Sequence, residues 1–378
     1  MEIFYARETD IFQFQFMELI TFEYMLESLR YNNSTIHFGS LADSGFEELL
    51  EKEYGSSKKI ILTDETVGEL WMEDLITTFP ALSHAEIIQI PPGEDFKSIE
   101  VCTQIWEALS EYQIGRNDLI INFGGGVITD LGGFVASLFK RGLRFINIPT
   151  TLLSQVDASV GGKTGVDLGP YKNQIGVFSD AEHVFIDPRF LGTLSDDQLL
   201  SGFAEMLKHG LIASEEHWNN LIALSKVDSQ IDIELIRQSV NIKKQIVEVD
   251  HKETGIRKNL NFGHTIGHAI EGYKLANDEP ILHGFAVAWG MVAEAELSLM
   301  KGLITQDINE EIKNKFESKY PKISMDPSDF KDIIKLMYND KKNRENKIQF
   351  TLISGIGKAV YDQNVTDKEI LDVLKKVF

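Results

Sequence analysis

The sequence predicts an α/β protein with a mostly parallel sheet in an N-terminal domain (residues 1–190) and a mainly α-helical C-terminal domain (residues 191–378). The chain has 378 residues, more than the roughly 250–300 residues at which a single hydrophobic core usually stops growing. From about residue 59 to 190, short apolar runs alternate with helical patterns, as in βαβ units. Beyond Pro188, Gly192 and Ser195 the pattern changes to long amphipathic helices, which indicates a second domain.

The predicted strands of the first domain are apolar runs that end in polar or turn residues. They are, in chain order, STIHFG (34–39), KIILTD (59–64), AEIIQIPPGE (85–94), DLIINFGGG (118–126), RFINIP (144–149) and HVFID (183–187). Two helices are predicted between them, at 98–114, where apolar residues recur every three or four positions, and at 127–139. The second domain begins with predicted helices over 196–318 and ends in a mixed, Lys-rich tail.

Composition and charge exclude several classes of protein. The chain carries 37 Lys and Arg against 58 Asp and Glu, a formal net charge of −21, which argues against non-specific binding to nucleic acid or to an anionic membrane. Its one cysteine, Cys102, allows neither an intramolecular disulfide nor a thiolate-rich metal site. The N-terminus lacks a signal-like apolar segment, and no uncharged apolar run reaches ~18 residues. We therefore expect a cytoplasmic protein.

Glycines at a predicted strand–helix turn indicate a Rossmann-like nucleotide domain. Gly124, Gly125 and Gly126 follow a predicted strand and open a predicted helix, where a backbone without side chains can approach a pyrophosphate. The same glycines also fit a tight turn that binds no ligand. Polar residues after neighbouring strands favour the nucleotide, because parallel strands open on one edge of the sheet. These residues are Asp64, Gly93, Glu94, Lys97 and, one turn into the helix, Asp130.

A histidine pattern predicts a metal site in the second domain. In NFGHTIGHAIE (261–271), His264 and His268 are four residues apart, so a helix places both imidazoles on one face. His283 follows in LHG, and Glu205 lies in GFAEMLKHG, three residues before Lys208. Two histidines and a carboxylate with open positions are typical of a catalytic zinc site. The alternative, a core histidine beside a helix cap, does not explain the polar contexts of His283 and Glu205.

Basic residues crowd these motifs in spite of the acidic composition. Several stand beside glycines, as in KRG and GGK, rather than on amphipathic helix faces. Lysine and arginine gathered in one cleft, against a charge of −21, indicate a pocket for a strongly anionic small molecule. The residues are Arg141, Arg144, Lys163, Lys172, Lys208, Lys243, Arg257 and Lys342, of which Lys243, beside Lys244, would alone fit a solvated face.

These motifs together resemble the 3-dehydroquinate synthase family of the sugar-phosphate cyclase superfamily. The resemblance runs from about Asp64 to Gly357, and its most specific segments are PTTLLSQVDASVGGK (149–163) and GIRKNLNFGHTIGHAIE (255–271). The other matching segments are PGED (92–95), GGGVITDLGGFVA (124–136), KRG (140–142), KNQIG (172–176), DPRFLGTL (187–194), GFAEMLKHG (202–210), LHG (282–284) and DKKN (340–343).

The resemblance implies a reaction of the shikimate pathway, in which 3-deoxy-D-arabino-heptulosonate 7-phosphate gives 3-dehydroquinate and phosphate. NAD would oxidise the C5 hydroxyl, phosphate would be eliminated, and the ketone would be reduced again before ring opening and aldol closure. A bound Zn²⁺ or Co²⁺ would polarise the hydroxyl, while lysine and arginine orient the phosphate and carboxylate. The implied protein is a homodimeric, cytoplasmic lyase that binds an anionic sugar phosphate.

The resemblance also implies roles for individual residues. Glu205, His264 and His283 match the metal ligands, and Glu253, His268 and Lys208 match catalytic positions, the first two as proton acceptors. The substrate pocket matches Arg141, Asp157, Lys163, Asn173, Lys208, Lys243, Arg257, Asn261, His268 and Lys342. The NAD contacts match Asp64, Gly93, Glu94, Lys97, Gly125, Gly126, Asp130, Thr150, Thr151, Lys172, Phe190, Thr193 and Leu194. Arg141 would bind phosphate across a dimer interface, in the active site of the other subunit. The lysine doublet at 341–342 leaves open which of the two lysines faces the pocket.

Three departures from the family pattern are expected to act locally. Phe285 stands where Glu usually follows the HG of LHG, and Ala158 replaces a Ser. The stretch between His268 and His283 is a few residues longer than usual, as a loop insertion would make it. None of the three removes a metal ligand or a charge that would bind substrate.

Three other functions fit the residues less well. A related cyclase acting on glucose 6-phosphate or a heptulose phosphate would be expected to change the equivalents of Arg257 and Asn261, and both are present. A metal-dependent polyol or alcohol dehydrogenase would release NADH and would not need a dense basic pocket. A non-catalytic NAD-binding regulator would be free to lose Glu205, His264 or Lys208, and none is lost.

Overall fold

The computed structural model describes residues 26–169, 171–338 and 348–378. Within these ranges the strands are β1 (Leu26–Tyr31), β2 (Ser34–Phe38), β3 (Lys59–Asp64), β4 (Glu86–Ile90), β5 (Leu119–Gly124), β6 (Arg144–Pro149), β7 (Lys163–Leu168), β8 (Tyr171–Phe178), β9 (His183–Ile186), β10 (Gln349–Gly355) and β11 (Lys358–Asn364). The helices are α1 (Phe46–Lys52), α2 (Glu65–Thr78), α3 (Ile99–Glu111), α4 (Gly126–Leu138), α5 (Asp196–Ala213), α6 (Glu215–Ile222), α7 (Ile233–Val249), α8 (His264–Ala276), α9 (His283–Met300), α10 (Gln306–Glu317), α11 (Phe330–Tyr338) and α12 (Asp367–Val377).

A seven-stranded sheet in the order β1-β2-β9-β6-β5-β3-β4 forms the centre of the first half of the described chain. Neighbouring strands are parallel, except that β1 and β2 form an antiparallel pair at one edge. Every residue of β5 is buried, because helices cover both faces of the sheet. The chain runs from β3 out to β4 and then back to β5, so the strand order reverses between β3 and β5.

Helices α1 and α2 pack on one face of this sheet, and α3 and α4 pack on the other. Cys102, on α3, is fully buried in the second of these layers. Two glycines of α4 allow a close approach: a Cβ on Gly132 would lie 2.0 Å from Asn122 Oδ1, and a Cβ on Gly133 would lie 2.4 Å from Thr164 Cγ2. Because these positions have no side chain, α4 fits between β5 and the separate antiparallel hairpin β7–β8.

The second half is built around α9, most of whose side chains are buried. Helix α8 crosses it closely, since a Cβ on Gly290 would lie 2.0 Å from the carbonyl oxygen of Gly263. Glu294 of α9 is fully buried and accepts hydrogen bonds from the backbone N–H groups of Gly263 (2.6 Å) and Ile266 (3.2 Å). It thereby supplies at the start of α8 the cap that Gly263, which has no side chain, cannot provide. The hairpin β10–β11 and α12 complete this half.

The structure confirms the predicted α/β fold, with a parallel sheet followed by a helical part. The predicted strands appear within a few residues of their expected bounds, and the segment at 34–39, expected as an outer strand, is β2, second from the edge. The hairpins β7–β8 and β10–β11 were not predicted. Within the described ranges, no helix combines the length and the apolar character needed to span a bilayer.

Candidate active site

A cleft of about 1280 Å³ opens at the carboxyl ends of the parallel strands and is lined from both halves of the chain. Asp64 pairs with Ile90 where β3 and β4 end, and Gly124 pairs with Pro149 where β5 and β6 end. This register confirms that the polar residues after these strands share one edge of the sheet. The cleft lies beside the reversal between β3 and β5, the place where open α/β sheets bind ligands.

The glycine turn after β5 forms part of the wall on the sheet side of the cleft. Gly125 precedes the first residue of α4, and a Cβ there would lie 3.0 Å from Thr151 Cγ2. A Cβ on Gly126 would lie 3.5 Å from the methyl group of Ala158. Thr150 has a buried hydroxyl without a hydrogen-bond partner in the described part of the chain. A helix N-terminus with exposed backbone donors and an unused hydroxyl fits an anionic pyrophosphate.

A buried lysine lies beside this turn. Lys97 Nζ donates to Asp130 Oδ2 at 2.7 Å and to Asn173 Oδ1 at 2.8 Å. Burial alone would lower the pKa of Lys97, but the charges of Asp130 and Glu94 outweigh it and raise the pKa. Lys97 is therefore a fixed cation that holds α4, through Asp130, against the hairpin β7–β8, through Asn173.

The three residues that predict a metal site, Glu205, His264 and His283, meet at the helical side of the cleft. They are called the metal-type residues below. The Nε2 atoms of His264 and His283 lie 3.5 and 3.4 Å from Glu205 Oε1. Nδ1 of His264 is 3.1 Å from the carbonyl oxygen of Phe262, and Nδ1 of His283 is 3.1 Å from Glu271 Oε2. Because both Nδ1 atoms face acceptors, each imidazole donates through Nδ1, and Nε2 is the ring atom turned toward Glu205.

The charges around Glu205 fit a divalent cation. Glu205 is fully buried, and neither carboxylate oxygen has a hydrogen bond of ordinary geometry in the described chain, although Lys208 forms an ion pair with it. Burial would raise the pKa of Glu205, but Lys208, His264 and His283 hold it well below its usual value. For His283, burial is outweighed by Glu271 and Glu205, which raise the pKa to about 10. An anionic carboxylate and two imidazole nitrogens in contact are a donor set for Zn²⁺ or Co²⁺.

His268 lies beside this set, one turn along α8 from His264. Its ring centroid is 5.0 Å from that of His264 and 5.6 Å from that of His283. The nearest ring nitrogens of the three histidines fall within 4.8 Å of one another. The prediction that a helix places His264 and His268 on one face is therefore confirmed.

Two lysines and an aspartate form the floor next to the metal-type residues. Lys243 Nζ lies 2.6 Å from Asp157 Oδ1 and donates to the Asp157 carbonyl oxygen at 2.7 Å. Burial lowers the pKa of Lys243, whereas the Glu205 and Asp157 charges overcome burial and raise the pKa of Lys208. The two ammonium groups thus differ in electrostatic environment although both are buried in one wall.

The segment after α7 brings a second group of polar residues to the cleft. Glu253 accepts from Asn261 Nδ2 at 2.5 Å and pairs with Lys163 of the hairpin β7–β8. Arg257 is fully buried, and its Nη2 donates to the carbonyl oxygen of Gly161 at 2.7 Å. These contacts connect the second half of the chain with the hairpin of the first half.

Most of the residues that the sequence singled out line this one cleft. They are Asp64, Gly93, Glu94, Lys97, Gly125, Gly126, Asp130, Thr150, Thr151, Asp157, Lys163, Lys172, Asn173, Thr193, Leu194, Lys208, Lys243, Glu253, Arg257, Asn261, His264, His268 and His283, with Glu205 buried behind them.

Three predicted residues of the described ranges do not line the cleft, and a fourth lies outside those ranges. Phe190 is packed between Trp71 and Phe123 in the core. Arg141 is exposed beyond the far end of α4, and Arg144, at the start of β6, pairs with Glu182 at 2.9 Å. The prediction that Arg144 belongs to the basic pocket is wrong, because β6 starts at the opposite edge of the sheet. Lys342 and its neighbour Lys341 lie outside the described residues.

Two buried residues of the site were not predicted. Glu271 bridges Lys172 Nζ, at 2.6 Å, and His283 Nδ1, at 3.1 Å. It is the last residue of NFGHTIGHAIE and lies seven positions after His264, so helical spacing could have placed it on the same face. His209 is fully buried. Its Nδ1 shares a hydrogen bond of 2.7 Å with Ser239 Oγ, and its Nε2 lies 4.0 Å from Asp157 Oδ1. Burial lowers the pKa of His209 to about 3, so this imidazole is neutral.

The departures from the family pattern have separate positions. Phe285 stacks edge-on against Tyr320, with ring centroids 5.7 Å apart, two residues after His283. Tyr320 donates to the carbonyl oxygen of Leu200 at 3.0 Å, and Phe285 packs against the hydrophobic core to which Tyr320 belongs. Residues 277–282 connect α8 to α9, and three of them line the cleft: Pro280, Ile281 and Leu282.

Comparisons with known proteins agree with this geometry. The family models described as 3-dehydroquinate synthase N-terminal and C-terminal match residues 87–201 and 202–343. A curated 3-dehydroquinate synthase of Parabacteroides distasonis is 44% identical over 319 residues, 84% of this chain and 90% of the relative. One of Thermoanaerobacter pseudethanolicus is 37% identical over 364 residues, 95% of this chain and 100% of the relative. The structure of a 2-epi-5-epi-valiolone synthase of Streptomyces hygroscopicus with NAD⁺ and Zn²⁺ bound is 25% identical, with a TM-score of 0.76 over 93% of this chain and 98% of that chain.

Proposed function

The chain belongs to the 3-dehydroquinate synthase family, and from this premise we propose how the residues of its cleft share the reaction. The enzyme converts 3-deoxy-D-arabino-heptulosonate 7-phosphate to 3-dehydroquinate and phosphate, and it depends on NAD and on Zn²⁺ or Co²⁺. One observation carries the assignment of residues: Glu205, His264 and His283 meet in the same cleft as the glycine turn and the buried lysines.

NAD, when bound at the glycine turn, supplies the transient oxidation of the substrate hydroxyl and the later reduction of the ketone. The backbone N–H groups at the start of α4 bind its pyrophosphate, because Gly125 and Gly126 leave them open to the cleft. Lys172 adds a positive charge to this side of the cleft, with its Nζ 3.4 Å from Glu94 Oε1. Asp64 and Asp130, which both line the cleft, offer acceptors to hydroxyl groups.

The metal, when held by Glu205, His264 and His283, supplies a Lewis acid for the hydroxyl that is oxidised. The chain prepares this set in advance. The carbonyl of Phe262 and the carboxylate of Glu271 fix the two imidazoles through Nδ1. Lys208 balances the charge of Glu205 until the ion binds.

Cations on two walls orient the substrate. Arg257 provides a rigid guanidinium for the carboxylate, and Lys163, which is about half exposed and paired with Glu253, is the partner for the phosphate. Lys243 is held by Asp157 and lines the same cleft. Holding both ends of one anion lets a single site align each successive step.

Two groups move protons. Glu253 is held by Asn261 and Lys163, and it accepts the proton lost when phosphate is eliminated. His268 lies within reach of the metal-type residues and accepts the proton of the hydroxyl during oxidation. Both groups line the same cleft.

Phosphate release tests this function directly. The full-length enzyme would be given the heptulosonate phosphate, NAD⁺ and Zn²⁺ while NADH absorbance is followed. We expect phosphate and dehydroquinate in equal amounts with no accumulation of NADH. Separate Glu253→Gln and His268→Asn enzymes should bind substrate and lose most turnover. Net NADH from a simple polyol without phosphate release would contradict the assignment and indicate a dehydrogenase.

We also propose a homodimer in the cytoplasm, with the domains 1–190 and 191–378 meeting at the cleft. Arg141 supports the dimer, because its guanidinium is exposed at the end of α4 away from the cleft of its own chain. Leu138, 44% exposed, adds an apolar neighbour at the same end of α4. In a dimer, Arg141 would bind the phosphate in the partner's cleft.

A further inference from the structure

A chain of direct contacts joins the nucleotide side of the cleft to a metal-type residue. Lys172 Nζ lies 2.6 Å from Glu271 Oε1, and the other oxygen, Oε2, lies 3.1 Å from Nδ1 of His283. Nε2 of the same imidazole is 3.4 Å from Glu205 Oε1. The Glu271 side chain is only 6% exposed, so water screens these contacts weakly. One carboxylate thus contacts a residue from each side of the cleft.

We propose that Glu271 couples the two cofactor sites, so that binding of NAD tightens the binding of the metal ion and the reverse. The proposal rests on the proposed role of Lys172 as a nucleotide contact. In this arrangement Glu271 is a positioning residue, because it acts on the metal through His283 rather than by touching it.

Coupling requires that Glu271 differ between the empty and the nucleotide-bound cleft. In the structure, Lys172 Nζ is shared between Glu271, at 2.6 Å, and Glu94, at 3.4 Å. A bound pyrophosphate gives Lys172 another anion to contact, which leaves the charge of Glu271 less neutralised. When the charge of Glu271 is less neutralised by Lys172, the carboxylate attracts a cation at His283 more strongly and makes the imidazole a stronger ligand. By linkage, the metal ion must tighten NAD binding by the same factor.

The experiment measures metal affinity with and without the nucleotide. Full-length enzyme freed of metal would be titrated with Zn²⁺ against a competing chelator, first alone and then with saturating NAD⁺. We expect NAD⁺ to lower the Kd for Zn²⁺ by at least about fivefold. A ratio of one in the unmodified enzyme would overturn the proposal.

Two variants locate the coupling. Glu271→Gln should weaken Zn²⁺ binding by about 10–100-fold and remove the effect of NAD⁺. Lys172→Met keeps the contact between Glu271 and His283, so it should bind Zn²⁺ at least as well as the unmodified enzyme without NAD⁺, but with no further gain from NAD⁺. Circular dichroism would check that each variant folds, and Lys172→Met keeps the test available if Glu271→Gln does not.

Glu296→Gln is the matched control. Glu296 is also a buried carboxylate of the helical half, paired with Lys376 at 2.5 Å and Asn309 at 2.9 Å. It lies on α9, as His283 does, but thirteen residues further on, or about 20 Å along the helix. Its loss should leave both the Zn²⁺ affinity and the NAD⁺ effect unchanged.

The outcomes separate this proposal from the assigned role of Lys172. If Lys172→Met binds NAD⁺ with full affinity, the premise fails and the coupling proposal is overturned with it. If Lys172→Met weakens NAD⁺ binding while Glu271→Gln keeps the full NAD⁺ effect on Zn²⁺, Lys172 contacts the nucleotide but Glu271 only orients His283. That second result would overturn the coupling alone.

Discussion

Arg257 combines full burial with a place on the wall of the cleft. Its Nη1 and Nη2 atoms donate to the carbonyl oxygens of His251 (2.5 Å) and Gly161 (2.7 Å), whereas Nε has no hydrogen-bond partner in the described part of the chain. Burial lowers the pKa of Arg257, but a guanidinium remains charged in proteins. A fixed cation with unused N–H donors suits an incoming carboxylate.

Removing Arg257 should therefore damage catalysis more than folding. For Arg257→Ala we expect kcat/KM to fall by about 10–1000-fold, as when a charged hydrogen bond to substrate is lost. Arg257→Lys should recover only part of this, because an ammonium group cannot make both backbone contacts and still face the substrate. Steady-state kinetics would measure both, and urea unfolding would show whether either variant is folded. An unchanged kcat/KM in Arg257→Ala would contradict the role.

At the scale of residues, the sequence predicts type and spacing better than partners. The pair His264 and His268 follows from helical periodicity, and the structure places both at one site. The prediction that Arg144 belongs to the basic pocket is wrong because its nearness to KRG in the sequence does not determine which end of a strand it occupies. It lies over the ring of Tyr54, 4.1 Å from the centroid, far from the cleft edge. Glu271 was missed because its two partners come from different segments of the chain.

At the scale of elements, the hairpin β7–β8 carries Lys163, Lys172 and Asn173 to the cleft. The sequence has no alternation of apolar and polar residues that would predict this hairpin, because Gly165 and Gly176 occupy its strands. A Cβ on Gly165 would lie 2.6 Å from the carbonyl oxygen of Ile175, so the two strands approach too closely for side chains there. Short Gly-rich strands outside the main sheet lack the periodic pattern from which β3, β5 and β6 could be predicted.

The packing of this hairpin on α4 gives a matched pair of glycine substitutions. In Gly133→Ala, the new methyl group would meet Thr164 Cγ2 at 2.4 Å, so we expect a loss of about 1–3 kcal/mol of stability from overpacking and reduced kcat/KM from displacement of the hairpin. Gly272→Ala, in α8, meets nothing within 4 Å and should stabilise by about 0.5–1 kcal/mol. Urea unfolding and steady-state kinetics would measure both. A stable, fully active Gly133→Ala enzyme would show that the hairpin adjusts freely.

At the scale of the whole molecule, the cleft of one chain lacks Arg141. The residue is exposed beyond the end of α4, whereas the cleft opens at the start of that helix. A resemblance between sequences can assign Arg141 to a phosphate, but it cannot say which copy of the chain holds that phosphate. Only a second chain in the proposed homodimer would bring Arg141 to an active site.

Complementation between inactive variants tests this sharing. Arg141→Ala and His264→Ala enzymes should each be nearly inactive. After unfolding and refolding together in equal amounts, half of the dimers are mixed, and each mixed dimer has one site with both residues intact. We expect about a quarter of the unmodified activity to return. No recovery, with mixed dimers demonstrated by tagged subunits, would place Arg141 outside the partner's site.

Acid should destabilise the molecule in part through His217 of α6, whose ring faces Gln238 of α7. The ring is 2% exposed, with Nδ1 3.3 Å from Gln238 Oε1. Burial lowers its pKa to about 4, whereas a histidine in the unfolded chain has a pKa of about 6.5. Between these values the unfolded chain binds the extra proton, so the free energy of unfolding falls as pH falls, by at most about 1.4 kcal/mol per pH unit.

His217→Asn should remove this part of the pH dependence. Asparagine keeps a donor near the Nδ1 position but has no group that titrates in this range. Urea unfolding of metal-free enzyme at several pH values between about 5 and 6.5 should give a slope lower by about 1 kcal/mol per pH unit than that of the unmodified chain, because the unfolded histidine is only half protonated at the upper end of this range. Loss of the ring can lower the free energy of unfolding at every pH, so the slope is the quantity to compare. Parallel slopes would contradict the assignment.

The buried thiol of Cys102 has a practical consequence for watching the enzyme move. Burial raises its pKa to about 12, so maleimide reagents, which attack the thiolate, should leave the folded chain unlabelled. The unmodified sequence is therefore a silent background for site-directed fluorophores. A donor and an acceptor dye at two cysteines introduced on either side of the cleft would report its opening and closing by energy transfer, one turnover at a time.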